Sequence, residues 1–181
     1  MGAQNLHLER MDRSIHEARF LELAAEFRDL GEGGLERLDM LFADPEGYFD
    51  LVDRFEHDRD LPDGLVPMSR LLFFDGDLLV GQSNLRRRLS PYLHLDGGHI
   101  GYLVRPSLRG RGYATEILRQ TLEEAHQIGI AKALLTVATT NLPSLRVVEK
   151  NGGLFDRETV SPGSGETMRR YWIDTARTVS P

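Results

Sequence analysis

The sequence contains no cysteine, and Lys132 and Lys150 are its only lysines. The absence of cysteine excludes disulfides, thiolate metal sites, iron–sulfur clusters and a cysteine nucleophile. No Gly-Lys-Ser/Thr triplet occurs, which excludes the phosphate-binding P-loop. The chain also lacks an apolar stretch long enough to span a bilayer. Its ten N-terminal residues hold no basic segment followed by an apolar run, so we expect no signal peptide and a cytoplasmic location.

What is present is the composition of an acidic globular protein. Hydrophobic residues make up 40% and charged residues 28% of the 181 residues, and the formal net charge is -6. A chain of this length fits one domain, so we predict a single domain over residues 1–181. The negative charge argues against a nucleic-acid binder and suits cationic partners such as amines. We predict no membrane partner and no metal, and homodimerisation is left open.

The N-terminal part is predicted to be mainly helical. Leu6 to Glu9 reads as a short edge strand. Ser14 followed by Glu17 predicts a capping box for a helix that runs to about Asp29. A second helical region, 35–59, is interrupted near Pro45. The apolar face of the first helix is predicted to consist of Ile15, Phe20, Leu23, Ala24 and Phe27.

The remainder alternates between strand and helix patterns. Asp75-Gly76-Asp77 lies between two apolar runs and predicts a β-hairpin. Asn141 is predicted to cap a short helix that ends near Lys150. This mixture predicts an α/β (α+β) domain with a mixed sheet. The predicted elements are strands at 69–74, 78–84, 98–104, 132–139, 154–160 and 167–173, and helices at 114–128 and 141–150.

The segment 104–114 carries the clearest chemical signal. It joins a predicted strand to the start of a helix, and Gly110 and Gly112 let backbone amides approach a ligand. The amides and dipole of a helix N-terminus attract anions, and Arg109 and Arg111 add positive charge. Together these features predict a cradle for a pyrophosphate. The third glycine of a dinucleotide fingerprint is missing. The alternative is an Arg/Gly turn that only caps a helix.

With the downstream residues included, the sequence resembles the GNAT superfamily of acetyl-CoA-dependent N-acyltransferases, most strongly over residues 98–153. Further residues near 98–107 and 170–172 look like a subgroup of predicted acetyltransferases of unassigned substrate. Arg109, Gly112 and Ala114 match the Arg/Gln-x-x-Gly-x-Gly/Ala signature of the superfamily. Asn141, Ser144 and the pair Glu149-Lys150 match its following helix.

The resemblance implies a GNAT-like single domain whose mixed, mostly antiparallel sheet is splayed at its centre and flanked by helices. The sheet would open between strands 98–104 and 132–139, and acetyl-CoA would lie in the split as co-substrate. Its acetyl group would pass to an amine-bearing acceptor, a small molecule or a protein amine, by direct attack in a ternary complex. The implied cofactor-binding residues are Tyr102, Leu103 and Val104 for pantetheine, Arg109, Gly110, Arg111, Gly112, Tyr113, Ala114 and Thr115 for pyrophosphate, and Asn141 and Ser144 on the opposite wall.

His99 is the predicted catalytic base. It lies on the strand beside the expected acetyl site, and an imidazole with a pKa of about 6.5 suits removing a proton from an ammonium group. Strand alternation places it on the opposite face from Tyr102, which is predicted to be core. The alternative for His99 is a histidine hydrogen-bonded within the sheet.

The sequence departs from the family at Val148. Many members carry a tyrosine there, seven residues after the Asn, which acts as general acid toward the departing thiolate. The difference leaves a second functional class open, a non-catalytic acetyl-CoA-binding or regulatory domain on the same fold. A nucleotide-phosphate binder of unrelated fold is a third alternative. The residues between Leu30 and Pro67 and the late hairpin are expected to shape the acceptor site, in which no motif is found.

Overall fold

The computed structural model describes residues 6–32 and 34–178. Residues 1–5, part of the segment from which we expect no signal peptide, lie outside the described residues. In chain order the elements are β1 (His7–Arg10), α1 (Arg13–Asp29), α2 (Leu38–Ala43), α3 (Pro45–His57), β2 (Met68–Asp75), β3 (Leu78–Arg86), β4 (Ile100–Val104), α4 (Tyr113–Gln127), β5 (Lys132–Ala138), α5 (Leu142–Lys150), β6 (Leu154–Val160) and β7 (Thr167–Asp174). Among the described residues, no helix combines the length and the apolar character needed to cross a membrane.

The start of α1 differs from the prediction. Asp12 is the N-cap, and its carboxylate accepts a hydrogen bond from the Ser14 amide at 2.8 Å. The predicted capping box from Ser14 to Glu17 is therefore wrong. The inner face is also shifted, because Ile15 is 61% exposed whereas His16 is 2% exposed. His16 accepts from the Asp12 amide, so it is satisfied where an apolar residue was expected.

The helical region after α1 is interrupted at the predicted position. α2 ends at Ala43 and α3 begins at Pro45, where a proline is tolerated because a first-turn N–H has no partner in the helix. Asp44 caps α3 by accepting a hydrogen bond from the Gly47 amide at 2.9 Å. The first three helices form one core cluster with β2 and β3, which includes Phe20, Phe27, Leu41, Leu72 and Leu79.

The strands form two sheets, with orders β1-β2-β3-β4 and β5-β7-β6. The hairpin around Gly76 is confirmed, since Asp75 faces Leu78 and Gly76 has φ 58°. Among the described strands, each of the five pairs is antiparallel. The predicted opening of the sheet between β4 and β5 is also confirmed. A second core cluster from α4, α5 and strands of both sheets keeps the two sheets together.

Candidate active site

The split between the two sheets is closed at one end by residues that precede β4. The His99 amide donates to the Leu134 carbonyl at 2.7 Å, and the Leu134 amide donates to His99 Nδ1 at 2.9 Å. The Gly97 amide donates to Thr136 Oγ1 at 2.7 Å. Gly98 has φ 61°, and a Cβ there would lie 2.3 Å from the Leu134 carbonyl oxygen. Only glycine fits a position that is left-handed and this close to β5.

Beyond this point the backbone of β4 faces the split at alternate residues. The Arg105 amide donates to the Val80 carbonyl, and the Arg86 amide donates to the His99 carbonyl, each at 2.8 Å. In an antiparallel pair this sets every second residue of β4 against β3 and turns the residues between them outward. The N–H and C=O groups of Tyr102 and Val104 therefore point into the split.

Leu103 is placed differently from its two neighbours. It is paired with Gln82 in the register that bonds to β3. Its side chain packs on the core beneath the first three helices. The register directs the Leu103 backbone toward β3, whereas the backbone groups of Tyr102 and Val104 face the split, and the pantetheine contacts themselves stay a prediction.

A glycine-containing loop follows β4 and leads into α4. After a 3₁₀ turn over Pro106–Leu108, Gly110 and Gly112 have φ 78° and 87°. Gly112 is the N-cap of α4 and supplies no side-chain cap. The first amides of a helix have no partner within it, so this end can receive an anion.

The seven predicted cradle residues do not contribute equally. The Arg109 amide donates to the Pro106 carbonyl at 3.3 Å, and the Thr115 amide to the Gly112 carbonyl at 3.1 Å. The Tyr113 hydroxyl donates to Asp75 at 2.5 Å, away from the loop. This leaves the backbone amides from Gly110 through Ala114 as the groups best placed for a ligand.

Glu26 of α1 holds the turn that precedes the loop, a role that sequence reasoning missed. It accepts hydrogen bonds from Arg105 Nε at 2.6 Å and from the Ser107 hydroxyl at 2.8 Å. Burial acts to raise the pKa of Glu26, but the bonds from Ser107 and Arg105 outweigh it and lower the pKa. Because Arg105 is itself buried, Glu26 both neutralises a buried charge and fixes the path of the chain into the loop.

The two arginines of the loop have different surroundings. Arg109 Nη2 lies 2.6 Å from the Glu32 carboxylate, and the Arg109 guanidinium lies over the Phe27 ring. Part of its charge is therefore already used within the protein. Arg111 is exposed at the loop surface. The predicted positive charge is present, but Arg109, one of the two arginines, is already paired with Glu32.

The opposite wall is formed by the start of α5. Asn141 is the N-cap as predicted, and its Oδ1 accepts from the Ser144 amide at 3.2 Å, which leaves its amide NH₂ available to donate. The Ser144 carbonyl accepts from the Tyr102 hydroxyl at 3.4 Å. Tyr102 is thus only partly core, and its side chain spans the split from β4 to α5.

Val148 closes the inner face of α5. Its side chain is fully buried, and Gly153 packs directly against it. A Cβ at Gly153 would lie 2.5 Å from Val148 Cγ1. Gly153 therefore has no room for a side chain beside Val148, and a larger residue at position 148 would require its packed neighbours to move.

The surroundings of His99 disfavour its predicted role as a base. Its Nδ1 accepts the Leu134 amide, so the neutral ring carries its proton on Nε2 and has no free lone pair. Burial, with His94 and Arg86 nearby, lowers the pKa of His99 to about 4. Both observations favour the alternative, in which His99 is hydrogen-bonded in the sheet.

A cavity of about 610 Å³ adjoins the closed end of the split. Arg86 connects the two, because its guanidinium donates to the Gly97 carbonyl at 3.2 Å and pairs with Glu36 at 2.5 Å. It also lies 3.7 Å from the position of a Gly101 Cβ, beside β4. The cavity walls include Glu36, Phe55, Asp63, Met68, Arg86 and Leu93. Within the part of the chain that the structure describes, no cluster of three or more His, Asp or Glu residues could hold a metal.

Residues 54–153 match the family model of the acetyltransferase (GNAT) domain, which is more than half of the 181 residues. The protein is thus an acyltransferase by class. It belongs to the GNAT family of acetyltransferases. No curated protein matches the chain.

Solved structures agree with this fold at low sequence identity. RimL, a ribosomal L7/L12 α-N-protein acetyltransferase in complex with coenzyme A, superposes with a TM-score of 0.70 at 14% identity over 96% of both chains. The structure of yncA from Salmonella typhimurium with acetyl-CoA gives 0.62 at 12% identity over 97% of both chains. A chimera of spermidine N-acetyltransferase SpeG from Vibrio cholerae and hSSAT gives 0.67 at 20% identity, over 97% of this chain and 99% of that one.

Proposed function

We propose that this protein is an acetyl-CoA-dependent N-acetyltransferase that acetylates a primary amine by direct attack in a ternary complex. The observation that carries the proposal is the free backbone edge of β4, which leads into a glycine loop at the N-terminus of α4. An extended amide-containing arm pairs with such an edge, and a pyrophosphate suits such a helix end. Two solved relatives of the fold hold coenzyme A or acetyl-CoA.

The residues fit this co-substrate. The space at Gly110 is open, because a Cβ there would meet nothing within 4 Å. The amides from Gly110 through Ala114 would bind the pyrophosphate, with Arg111 and Arg109 adding charge. Tyr102 and Val104 would pair with the pantetheine amides through their backbone. Asn141 would donate its NH₂ from the other wall.

The chemistry needs few side chains once both substrates are held. A neutral amine attacks the thioester carbonyl, and holding the two in reacting geometry supplies several orders of magnitude in rate. The N–H of Tyr102 faces the split and would stabilise the oxyanion, which leaves the Tyr102 carbonyl and the Val104 backbone for the pantetheine amides. We propose that His99 acts as a positioning residue that keeps β4 against β5, and that the amine loses its proton to water.

The acceptor would enter through the cavity lined by Glu36 and Arg86. This cavity lies beside β4, next to the closed end of the split. The cavity lining holds two carboxylates, Glu36 and Asp63, and two guanidiniums, Arg37 and Arg86, so its own charge is balanced. The net charge of -6 is what favours an ammonium-bearing molecule. Structures of the same fold include enzymes named for spermidine and for the α-amino group of a ribosomal protein, and both acceptors are amines. A cytoplasmic location suits either kind of acceptor.

The second functional class, a binding domain without catalysis, is favoured by one observation, the fully buried Val148 in place of a tyrosine. Calorimetric titration with acetyl-CoA, followed by thiol release with a panel of diamines, amino acids and peptide N-termini, distinguishes the two. We expect binding and amine-dependent release of CoA. Binding of acetyl-CoA without turnover across the panel would select the non-catalytic class. If ATP binds and CoA does not, both the enzyme and the acetyl-CoA-binding domain are rejected.

A further inference from the structure

Tyr102 contributes two groups to the split from one residue. Its backbone faces the split because its two neighbours in β4 bond to β3. Its side chain leaves the opposite face from Leu103 and ends at the Ser144 carbonyl of α5. The phenol therefore crosses the space that separates the two sheets, beside the strand edge on which the thioester would lie.

The hydroxyl of Tyr102 is partly buried and has only a weak protein partner. Among the described residues its hydrogen-bond partner is the Ser144 carbonyl at 3.4 Å, a long hydrogen bond for an O–H donor. Tyr113 and Tyr171, in the same core, reach carboxylates at 2.5 and 3.2 Å. A donor that lies in the split with so weak a protein partner is available to a bound ligand.

We propose that Tyr102 is a catalytic residue whose hydroxyl donates a hydrogen bond to the sulfur that leaves when the thioester is broken. This inference rests on the acetyl transfer proposed above. The amine nitrogen forms a bond to the carbonyl carbon, the carbon–sulfur bond breaks, and its electron pair stays on sulfur. The nitrogen loses one proton to water and the thiolate later takes one from water, so the atoms and charges balance.

The pKa of Tyr102 decides whether it acts as a hydrogen-bond donor or as an acid that transfers its proton to sulfur. Burial raises the pKa of Tyr102 to about 12, whereas a free thiol has a pKa of about 8.5. The phenol therefore keeps its proton beside a thiolate. Tyr102 stabilises the leaving group as a donor and does not transfer its proton to sulfur.

The test is the pKa of the thiol in bound CoA, which can be measured without knowing the acceptor. The ultraviolet absorbance of the thiolate is titrated with pH in the protein–CoA complex, and a complex with a CoA analogue that lacks the sulfur is subtracted. A hydrogen bond to a charged group should place the thiol pKa of the wild-type complex roughly one to two units below that of Tyr102→Phe. Tyr171→Phe is the matched control, since it removes a hydroxyl from the same core, and its complex should titrate as wild type does.

Turnover is the second measurement. With an accepted amine, Tyr102→Phe should lower kcat about 10- to 100-fold and leave the KM for acetyl-CoA unchanged. Equal thiol pKa values in wild type and Tyr102→Phe would overturn the role of Tyr102 and leave the proposed function standing. Wild-type protein that does not bind CoA would overturn both. If Tyr102→Phe does not fold, a wild-type complex whose thiol pKa is no lower than that of free CoA is sufficient to overturn the role.

Discussion

Both ends of the split between the sheets contain a glycine, for opposite reasons. At the closed end, Gly98 is needed because a Cβ would strike the Leu134 carbonyl. At the open end, a Cβ added at Gly110 would meet nothing within 4 Å, so the space beside this glycine is empty. Polar groups differ in the same way. His99, Leu134 and Gly97 bond to each other or to β5 at the closed end, whereas the backbone of Tyr102 and the amides after Gly110 face the opening. One end is packed for stability, and the other is left available for a ligand.

The sharpest test of this comparison is a carboxylate in the loop. Gly112→Asp should reduce acetyl-CoA affinity at least about 100-fold, because a like charge would face the pyrophosphate. Calorimetric titration of the folded variant measures this. Gly129→Asp is the matched control, since Gly129 lies at the other end of α4 with φ 86° against 87° for Gly112. Both variants thus place an aspartate at nearly the same positive φ, and unchanged affinity in Gly112→Asp would remove the loop from its role.

Alanine at the two contrasting glycines should separate stability from binding. Gly98→Ala combines φ 61° with a contact of 2.3 Å, and should lower the free energy of unfolding by about 3 kcal/mol or more. Gly110→Ala has strain without a clash and should cost only about 1–2 kcal/mol, with a larger effect on acetyl-CoA affinity. Denaturant unfolding and titration of both variants provide the comparison. Equal losses of stability would show that the closed end is not tightly packed.

His99 tests whether the closed end is structural or catalytic. His99→Ala removes the acceptor of the Leu134 amide and should cost about 1–3 kcal/mol. His99→Asn places an oxygen as many bonds from Cβ as Nδ1 is, so it should recover much of that loss. Equal and large losses of turnover in both variants, with His99→Asn fully stable, would instead favour the predicted base.

The pH dependence of stability is a second test of whether His99 is buried and neutral in the folded protein. Its pKa is lowered to about 4 by burial and nearby charge, against about 6.5 when unfolded. Between those values the unfolded chain binds a proton that the folded chain does not. Stability should therefore fall as the pH drops from about 6.5 to about 4, and His99→Asn should reduce that fall. Identical slopes in the two proteins would show that His99 stays accessible to protons when folded.

The smallest expected effect concerns charge at the open end. Glu32→Gln frees Arg109 from its carboxylate partner and should tighten acetyl-CoA binding about two- to fivefold at low salt. The gain should shrink as ionic strength rises, because the pair is exposed. Glu123→Gln, which leaves Arg119 with another carboxylate on α4, is the control. Weaker binding in Glu32→Gln would mean that Glu32 orients Arg109 for the ligand.

Local signals account for the parts of the fold that were predicted correctly. The Asp75-Gly76 hairpin, the Asn141 cap and the interruption at Pro45 each depend on residues within a few positions of one another. The N-cap of α1 was missed although it is local, because Ser14 and Asp12 are both good caps and the structure uses the earlier one. Choosing between them required knowing that His16 is the residue buried in the core.

The sequence by itself determined the order of the elements, the family and the glycine loop, because these follow from turn chemistry, periodicity and residues close together in the chain. Tertiary structure alone decided what each polar group does. Glu26 meets Ser107 and Arg105 across about eighty positions, and no local pattern marks that contact. The same is true of His99 and Leu134, and of Tyr102 and Ser144. Hydrogen bonding depends on where strands and helices place donors and acceptors, so the committed and free groups of the split became distinguishable only once the two sheets were positioned.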